Sequence, residues 1–425
     1  MAATLLILLG GIIGVGFIGN LFFEKTRIPS VLLLIAIGIF LGPITRIVPP
    51  ETVRPFMPFF GAIALTIILF EGGLDLDLQH TIKQAGRAIL LAALSFVAAM
   101  FMIYYALLLG MNAQGPAAVA VAAALACTSA PIVIPVLARA APTSPMRPLL
   151  VVESALSDAL AVMVVLALLG FENGNISGSI LAGQLGKSML IGAGAALAGG
   201  LIWLWMLSHL STRPFFYLMT IGFVFLLMGA VESFHGSGAL AVLIFGMVLA
   251  NGEAIVGIFN PRIRDEIHKR LGGSGVALHP RLTESHAEVS FMTRSFFFVY
   301  LGMIFQWPGA DFRLWLTIGL AILAIIVARE IAVQLTGWVT RVSAPQRALL
   351  AAMLPRGLAT AVLAAMLVNR ATASGPAWET LATFVVVISN LWMSFRLLKI
   401  RDTLEPAAAS LPQAEAIKSE ALEIK

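Results

Sequence analysis

Apolar residues fill this chain in blocks of about 18 or more, and polar residues gather in the gaps between them. As a helix, such a block crosses roughly 30 Å of hydrocarbon. The pattern predicts spans at 4–23, 29–48, 56–74, 87–110, 116–138, 147–170, 187–209, 215–234, 237–251, 288–307, 314–340, 346–369 and 377–398. These make an all-α polytopic membrane protein of about thirteen transmembrane helices. The strands of an outer-membrane barrel would instead alternate apolar and polar positions over about ten residues. The first block has no basic segment before it and no small-residue cleavage pattern before Glu24, so it reads as a span and not as a signal peptide.

Composition agrees with the pattern. Of 425 residues, 59% are hydrophobic and only 12% charged, and the mean hydropathy is +0.96. A soluble domain has about half its residues apolar. The net charge of +5 needs no nucleic acid to explain it. Most Lys and Arg fall in alternate loops (Lys83, Arg87, Arg139, Arg147, Arg341, Arg347, Lys399), and basic loops stay on the cytoplasmic side. That places the N-terminus outside and the C-terminus in the cytoplasm, and suits a prokaryotic inner membrane. Residues 1–404 then form the membrane domain and 405–425 a short cytoplasmic tail. The longest loop, 252–287, contains "NPRIRDEIHKRLGG", either a solvated connector or a short helix on the inner surface. The six His are scattered and Cys127 is alone, so neither a metal cluster, nor a disulfide, nor a bound cofactor is expected.

Charges inside the spans are the exceptions that carry information, because an ionised group at the bilayer centre costs about 2.5–3.5 kcal/mol unless it is paired or functional. Seven stand out: Glu71, Glu153, Asp158, Arg294, Arg329, Glu330 and Arg356. In "VVESALSDALAVMVV" the five-residue spacing turns Asp158 about 140° away from Glu153. The two acids therefore face different partners. Ser157 shares the Glu153 face one turn on, and Ser154 shares the Asp158 face one turn back. By depth, Arg329 is the best-placed counter-charge for Glu153, since Arg cannot deprotonate to escape burial. Asp158 is left without a cation and is free to exchange a proton. Arg294 lies near the inner end of its span and reads as snorkelling to the surface.

Two spans are interrupted. "ACTSAPIVIPVL" carries Pro131 and Pro135, and proline removes a backbone donor and disfavours helix in the residue before it. The helix is expected to unwind near 128–131, where Thr128, Ser129 and freed carbonyls offer hard oxygen ligands to a small monovalent cation. "AAMLPRGLATAVLAAM" repeats the feature at 355–357. Broken helices at corresponding positions of two halves point to an inverted-repeat transporter with its site near the midplane. A channel would need a ring of filter residues, and an enzyme a nucleophile beside its base; neither stands out. "ESFHGSGAL" at 232–240 reads as a turn between spans, not a hydrolase site, and Gly192, Ala196 and Gly200 share a helix face suited either to a dimer seam or to packing within one subunit.

With "LFEGGLDLDL" at 69–78, "ESALSDALAV" at 153–162, "FFFVYLGMIF" at 296–305, the Arg of "VARE" at 329 and "LPRGLATAVLA" at 354–364, the chain resembles the monovalent cation:proton antiporters of the Na+/H+ exchanger and NhaP-like type. The resemblance implies two crossed unwound helices, a core domain (helices about 87–170 and 314–398), a dimerisation scaffold from the remainder, and alternating access as a homodimer. It implies that Asp158 binds cation or proton in competition, with Ser154 and Thr128 or Ser129 as further ligands of Na+ (or K+). It implies that Glu153 pairs with Arg329, and that Glu71 and Arg356 pair or stabilise the crossover. Two positions depart from the family pattern. Ser157 stands where Asn is usual, its hydroxyl within reach of Glu153 at i+4, and Ser129-Ala130-Pro131 stands where Thr-Asp-Pro is usual. With one freely titrating carboxylate, the expectation is electroneutral exchange of one Na+ or Li+ for one H+; the alternatives are K+/H+ exchange on the same fold or a cation channel.

Overall fold

The computed structural model describes residues 30–49, 57–74, 78–141, 144–170, 178–210, 215–252, 280–340, 342–368 and 375–404, with isolated positions at 10–11, 14, 17 and 255. The predicted span 4–23, most of the 252–287 loop and the tail 405–425 lie outside the described residues. Fourteen α-helices are described: α1 (Ser30–Ile39), α2 (Met57–Leu74), α3 (Leu78–Met111), α4 (Gly115–Ala126), α5 (Ala130–Ala140), α6 (Arg147–Gly170), α7 (Gly178–Leu210), α8 (Phe216–Ser233), α9 (Gly238–Ala250), α10 (Pro280–Met303), α11 (Phe312–Thr340), α12 (Ala344–Ala352), α13 (Leu358–Val368) and α14 (Gly375–Leu404). A π-helical turn, Phe40–Ile44, continues α1 past Pro43. Seven described segments are long and apolar enough to cross a membrane, and shorter apolar helices accompany them. The chain is a multi-pass membrane protein.

The hydrophobic pattern locates most helices closely, and α6 coincides with the predicted span 147–170. Three helices begin earlier than hydropathy alone places them. Helix α3 starts at Leu78 instead of 87, α7 at Gly178 instead of 187, and α10 at Pro280 instead of 288. A helix does not stop where the oil stops, because its backbone hydrogen bonds form as well in polar surroundings.

Both interruptions are real breaks at their predicted places: the first covers 127–129 and the second 353–357. Pro131 therefore lies in the first turn of α5, where a missing N–H costs nothing because the first donors of a helix have no intrahelical partner. Helices α4 and α12 likewise carry a proline in their first turn. Helix α12 is further held by a capping box, in which the Ser343 N–H donates to Gln346 Oε1 at 3.1 Å. Half-helices α4 and α13 pack on each other, and both contact α6. This is the crossed, inverted-repeat architecture.

Helix α3 packs along α11, α6 and α4, while α2 packs on α9, α7 on α9, and α1 on α10. Glycines set the closest of these approaches. A side chain on Gly38 or Gly302 would strike the backbone of the opposite helix in the α1–α10 pair, and Gly73 and Gly246 do the same for α2–α9. The face containing Gly192, Ala196 and Gly200 packs on Ser237 and Val248 of the same chain, so packing within one subunit accounts for it. The 232–240 stretch is the turn from α8 to α9, with His235 at φ 58° and Ser237 capping α9 through the Leu240 N–H.

The buried apolar residues fall into two clusters. One takes in 118–127, 161–168, 314–328 and 378–385; the other takes in 130–137, 149–159, 332–333 and 386–393. Buried polar residues, Thr128, Ser129 and Arg356 among them, lie in both breaks. Polar groups so enclosed must satisfy their hydrogen bonds within the protein, and these residues define the site.

Candidate ion-binding site

The breaks leave backbone donors and acceptors that the helices do not use, and these groups bind one another across the crossing. Ser129 N–H donates to the Pro355 carbonyl at 2.9 Å. A side chain on Gly357 would collide with Ser129, so only glycine lets the two segments touch. Thr128 N–H donates to Ser157 Oγ at 3.0 Å, and Ala130 N–H, at the start of α5, donates to Asp158 Oδ2 at 3.2 Å. Helix α6 thus presents consecutive residues to the first break. The N-terminus of α5, with its unsatisfied donors, faces a carboxylate, the arrangement its dipole favours.

Glu153 and Arg329 form the expected pair. Arg329 Nη1 and Nη2 donate to the two Glu153 oxygens at 2.8 and 3.3 Å, with both residues buried. Two partners that sequence reasoning missed complete the arginine. Nη1 also reaches Ser95 Oγ at 3.2 Å, and Nε donates at 2.9 Å to the Leu350 carbonyl in the last turn of α12. The second bond satisfies a carbonyl that the break deprives of its helical donor.

Ser157 is engaged with Thr128 of the crossover, which corrects its expected support of Glu153. Ser154 donates to the Leu150 carbonyl at 2.8 Å, so its proton is committed while oxygen lone pairs remain. Asp158 is 3% exposed; Oδ1 has no hydrogen-bond partner, and neither does the buried Ser129 Oγ. Two unmatched oxygen atoms on residues joined through Ala130 are what a cation or proton would complete.

Glu71 and Arg356 are not partners. Glu71 pairs with Arg294 at 2.6 Å and also accepts from Ser290, which corrects the reading of Arg294 as a snorkelling residue. Their side chains are 20–23% exposed, so the pair is largely covered by protein. A small cavity of about 90 Å³ lies between this pair and Ala130, Pro131 and Ile134 at the start of α5. Arg356 sits in the crossover, where Nη1 donates to Thr128 Oγ1 at 3.1 Å. Glu330 is at the periphery, 3.5 Å from Arg396. No group of three or more His, Cys, Asp or Glu suited to a metal occurs among the described residues.

A family model described as "Sodium/hydrogen exchanger, transmembrane" matches residues 6–398. The Na(+)/H(+) antiporter 1 of Methanocaldococcus jannaschii is 23% identical over 357 residues, which are 80% of this chain and 78% of that protein. The fold is similar to that of the solved sodium proton antiporter MjNhaP1 from the same organism at pH 8, with a TM-score of 0.73 at 21% identity over 92% of this chain and 99% of that one. An electron-microscopy map of MjNhaP1 gives a TM-score of 0.74 at 19% identity, over 97% and 98% of the two chains.

Proposed function

The chain belongs to the transmembrane sodium/hydrogen exchanger family, and from that premise we propose that it exchanges a monovalent alkali cation, Na+ or Li+ ahead of K+, for H+ at Asp158. Cation/proton exchange by a transporter is the activity that family and relatives support. The observation that carries the assignment to Asp158 is its unmatched, buried Oδ1 at the crossover, where the Ala130 N–H holds Oδ2 and the adjoining Ser129 Oγ is also unmatched, with Ser154 on the same helix face. Thr128 belongs to the ligand set through its place on the unwound segment, and Glu153 with Arg329 forms the fixed support.

The mechanism follows from charge. Ionised and empty, Asp158 is a bare carboxylate in an apolar barrier; a bound cation or proton cancels that charge and allows the site to be exposed on the other side. Glu153 is tied to Arg329, and Ala130 replaces the acid usual in the crossover, so one carboxylate handles one proton or one cation per cycle. Exchange is then one for one and electroneutral. We assign α3–α6 with α11–α14 to the moving core and the remaining helices to a scaffold, in a homodimer in the prokaryotic inner membrane with its N-terminus outside. The packing of α3 on α4, α6 and α11, and of α9 on α2 and α7, supports that division, with α13 and α6 of the core meeting the scaffold at α2.

The test uses proteoliposomes holding a trapped pH dye, with wild type and Asp158→Asn given NaCl, LiCl, KCl or choline chloride. Proton movement with Na+ and Li+, lost in Asp158→Asn and indifferent to an imposed membrane potential, is the expected result. A response to K+ alone moves the selectivity to that ion; no response to any alkali cation from folded protein overturns the reading.

A further inference from the structure

Two neighbouring side chains on α14 hold both backbone groups of Arg356. The Arg356 N–H donates to Ser389 Oγ at 3.0 Å, and Asn390 Nδ2 donates to the Arg356 carbonyl at 2.9 Å. Each is aimed by its own helix. Ser389 Oγ donates its proton to the Val386 carbonyl at 3.1 Å, so it meets the Arg356 N–H with a lone pair. Asn390 Nδ2 also donates to Val386 at 2.7 Å, which leaves one hydrogen for Arg356. Both residues are buried, at 1% and 0% exposure, so water does not stand in for either of them.

Everything that Arg356 and its neighbour then do points at the first break. The Pro355 carbonyl accepts from Ser129 N–H, and the Arg356 guanidinium reaches Thr128. Thr128 and Ala130 in turn hold Ser157 and Asp158 through their own N–H groups. Hydrogen bonds linked by single peptide steps therefore lead from the middle of α14 through both unwound segments to the carboxylate. Such a run transmits position, because each group in it has its geometry set by the one before.

We propose that Ser389 and Asn390 are positioning residues that fix the second break and, through it, the placement of Thr128 and Ser129 around Asp158, so that they set the affinity for the transported cation. The proposal rests on the assignment of cation exchange to Asp158. Ordinary helix packing would need neither residue to be polar. The two side chains instead match, donor to acceptor, the two backbone groups that the break exposes.

The experiment combines two readouts on full-length Ser389→Ala, Asn390→Ala and Ser389→Thr, the last keeping the hydroxyl. Hydrogen–deuterium exchange of the peptide covering 353–357 reads the clamp directly. The cation KM in proteoliposomes reads its consequence. Both alanine variants are expected to speed exchange in that peptide and to raise the cation KM by about three- to tenfold, the worth of one net hydrogen bond, with a smaller fall in maximal rate. Ser389→Thr is expected to lie near wild type. Unchanged deuterium exchange in folded alanine variants overturns the clamp. Faster exchange with an unchanged KM, or a fall in maximal rate alone, overturns the positioning role. If wild type itself transports no alkali cation, the functional assignment fails, while the deuterium readout still decides whether Ser389 and Asn390 hold the break.

Discussion

Glu153 and Asp158 stand five residues apart on one helix and have opposite fates. Glu153 is met by a guanidinium that uses both of its oxygens, and Asp158 by the Ala130 N–H and no ion pair among the described residues. Removing one member of a buried pair leaves the other charge uncompensated, which costs about 3–5 kcal/mol. Glu153→Leu and Arg329→Met are therefore each expected to lower the thermal midpoint of the purified protein sharply, and the double variant to recover much of the loss. Equal losses that add in the double variant would mean that the pair contributes nothing as a pair. The pairing was legible in the sequence from burial and depth. The Ser95 and Leu350 contacts of Arg329 were not, because a serine in an apolar span and a backbone carbonyl carry no sequence signal of what they touch.

At the scale of the helix, glycine decides how closely elements approach. Gly302→Ala is expected to destabilise the protein by about 1–3 kcal/mol, because the new methyl meets backbone atoms of α1 that cannot turn aside. Gly319, inside α11, has nothing within 4 Å of its missing side chain. Gly319→Ala is expected to stabilise by about 0.5–1 kcal/mol through helix propensity. Chemical denaturation in a mild detergent checks both signs, and equal effects would remove the close-approach explanation. The sequence drew attention to Gly192 and Gly200 because they recur at helical spacing. The reciprocal contacts of Gly38 with Gly302 and of Gly73 with Gly246 join residues far apart in the chain, and no periodicity within one helix reveals them.

For the molecule as a whole, the proposal that two ions share one carboxylate makes a prediction about pH. On that proposal a proton on Asp158 excludes the cation, so the apparent cation KM is expected to rise as pH falls, while the maximal rate at saturating cation changes less. Initial rates in proteoliposomes over a pH series at several cation concentrations measure this. A cation KM that stays level across that series would mean that proton and cation do not share Asp158.

Hydropathy alone determined that this chain is a bundle of membrane helices, since apolar blocks of that length have no other stable place and must satisfy their backbone internally. Proline and glycine marked where two of those helices fail, and burial of charge marked Glu153, Asp158, Arg329 and Arg356 as residues with a task. Only the tertiary structure decided which atoms meet. It gave Glu71 to Arg294, turned Ser157 toward Thr128, and brought Ser389 and Asn390 to Arg356. The reason is physical: a local pattern states what each residue cannot tolerate, whereas the partner that relieves it comes from a distant segment whose position depends on the packing of the whole bundle.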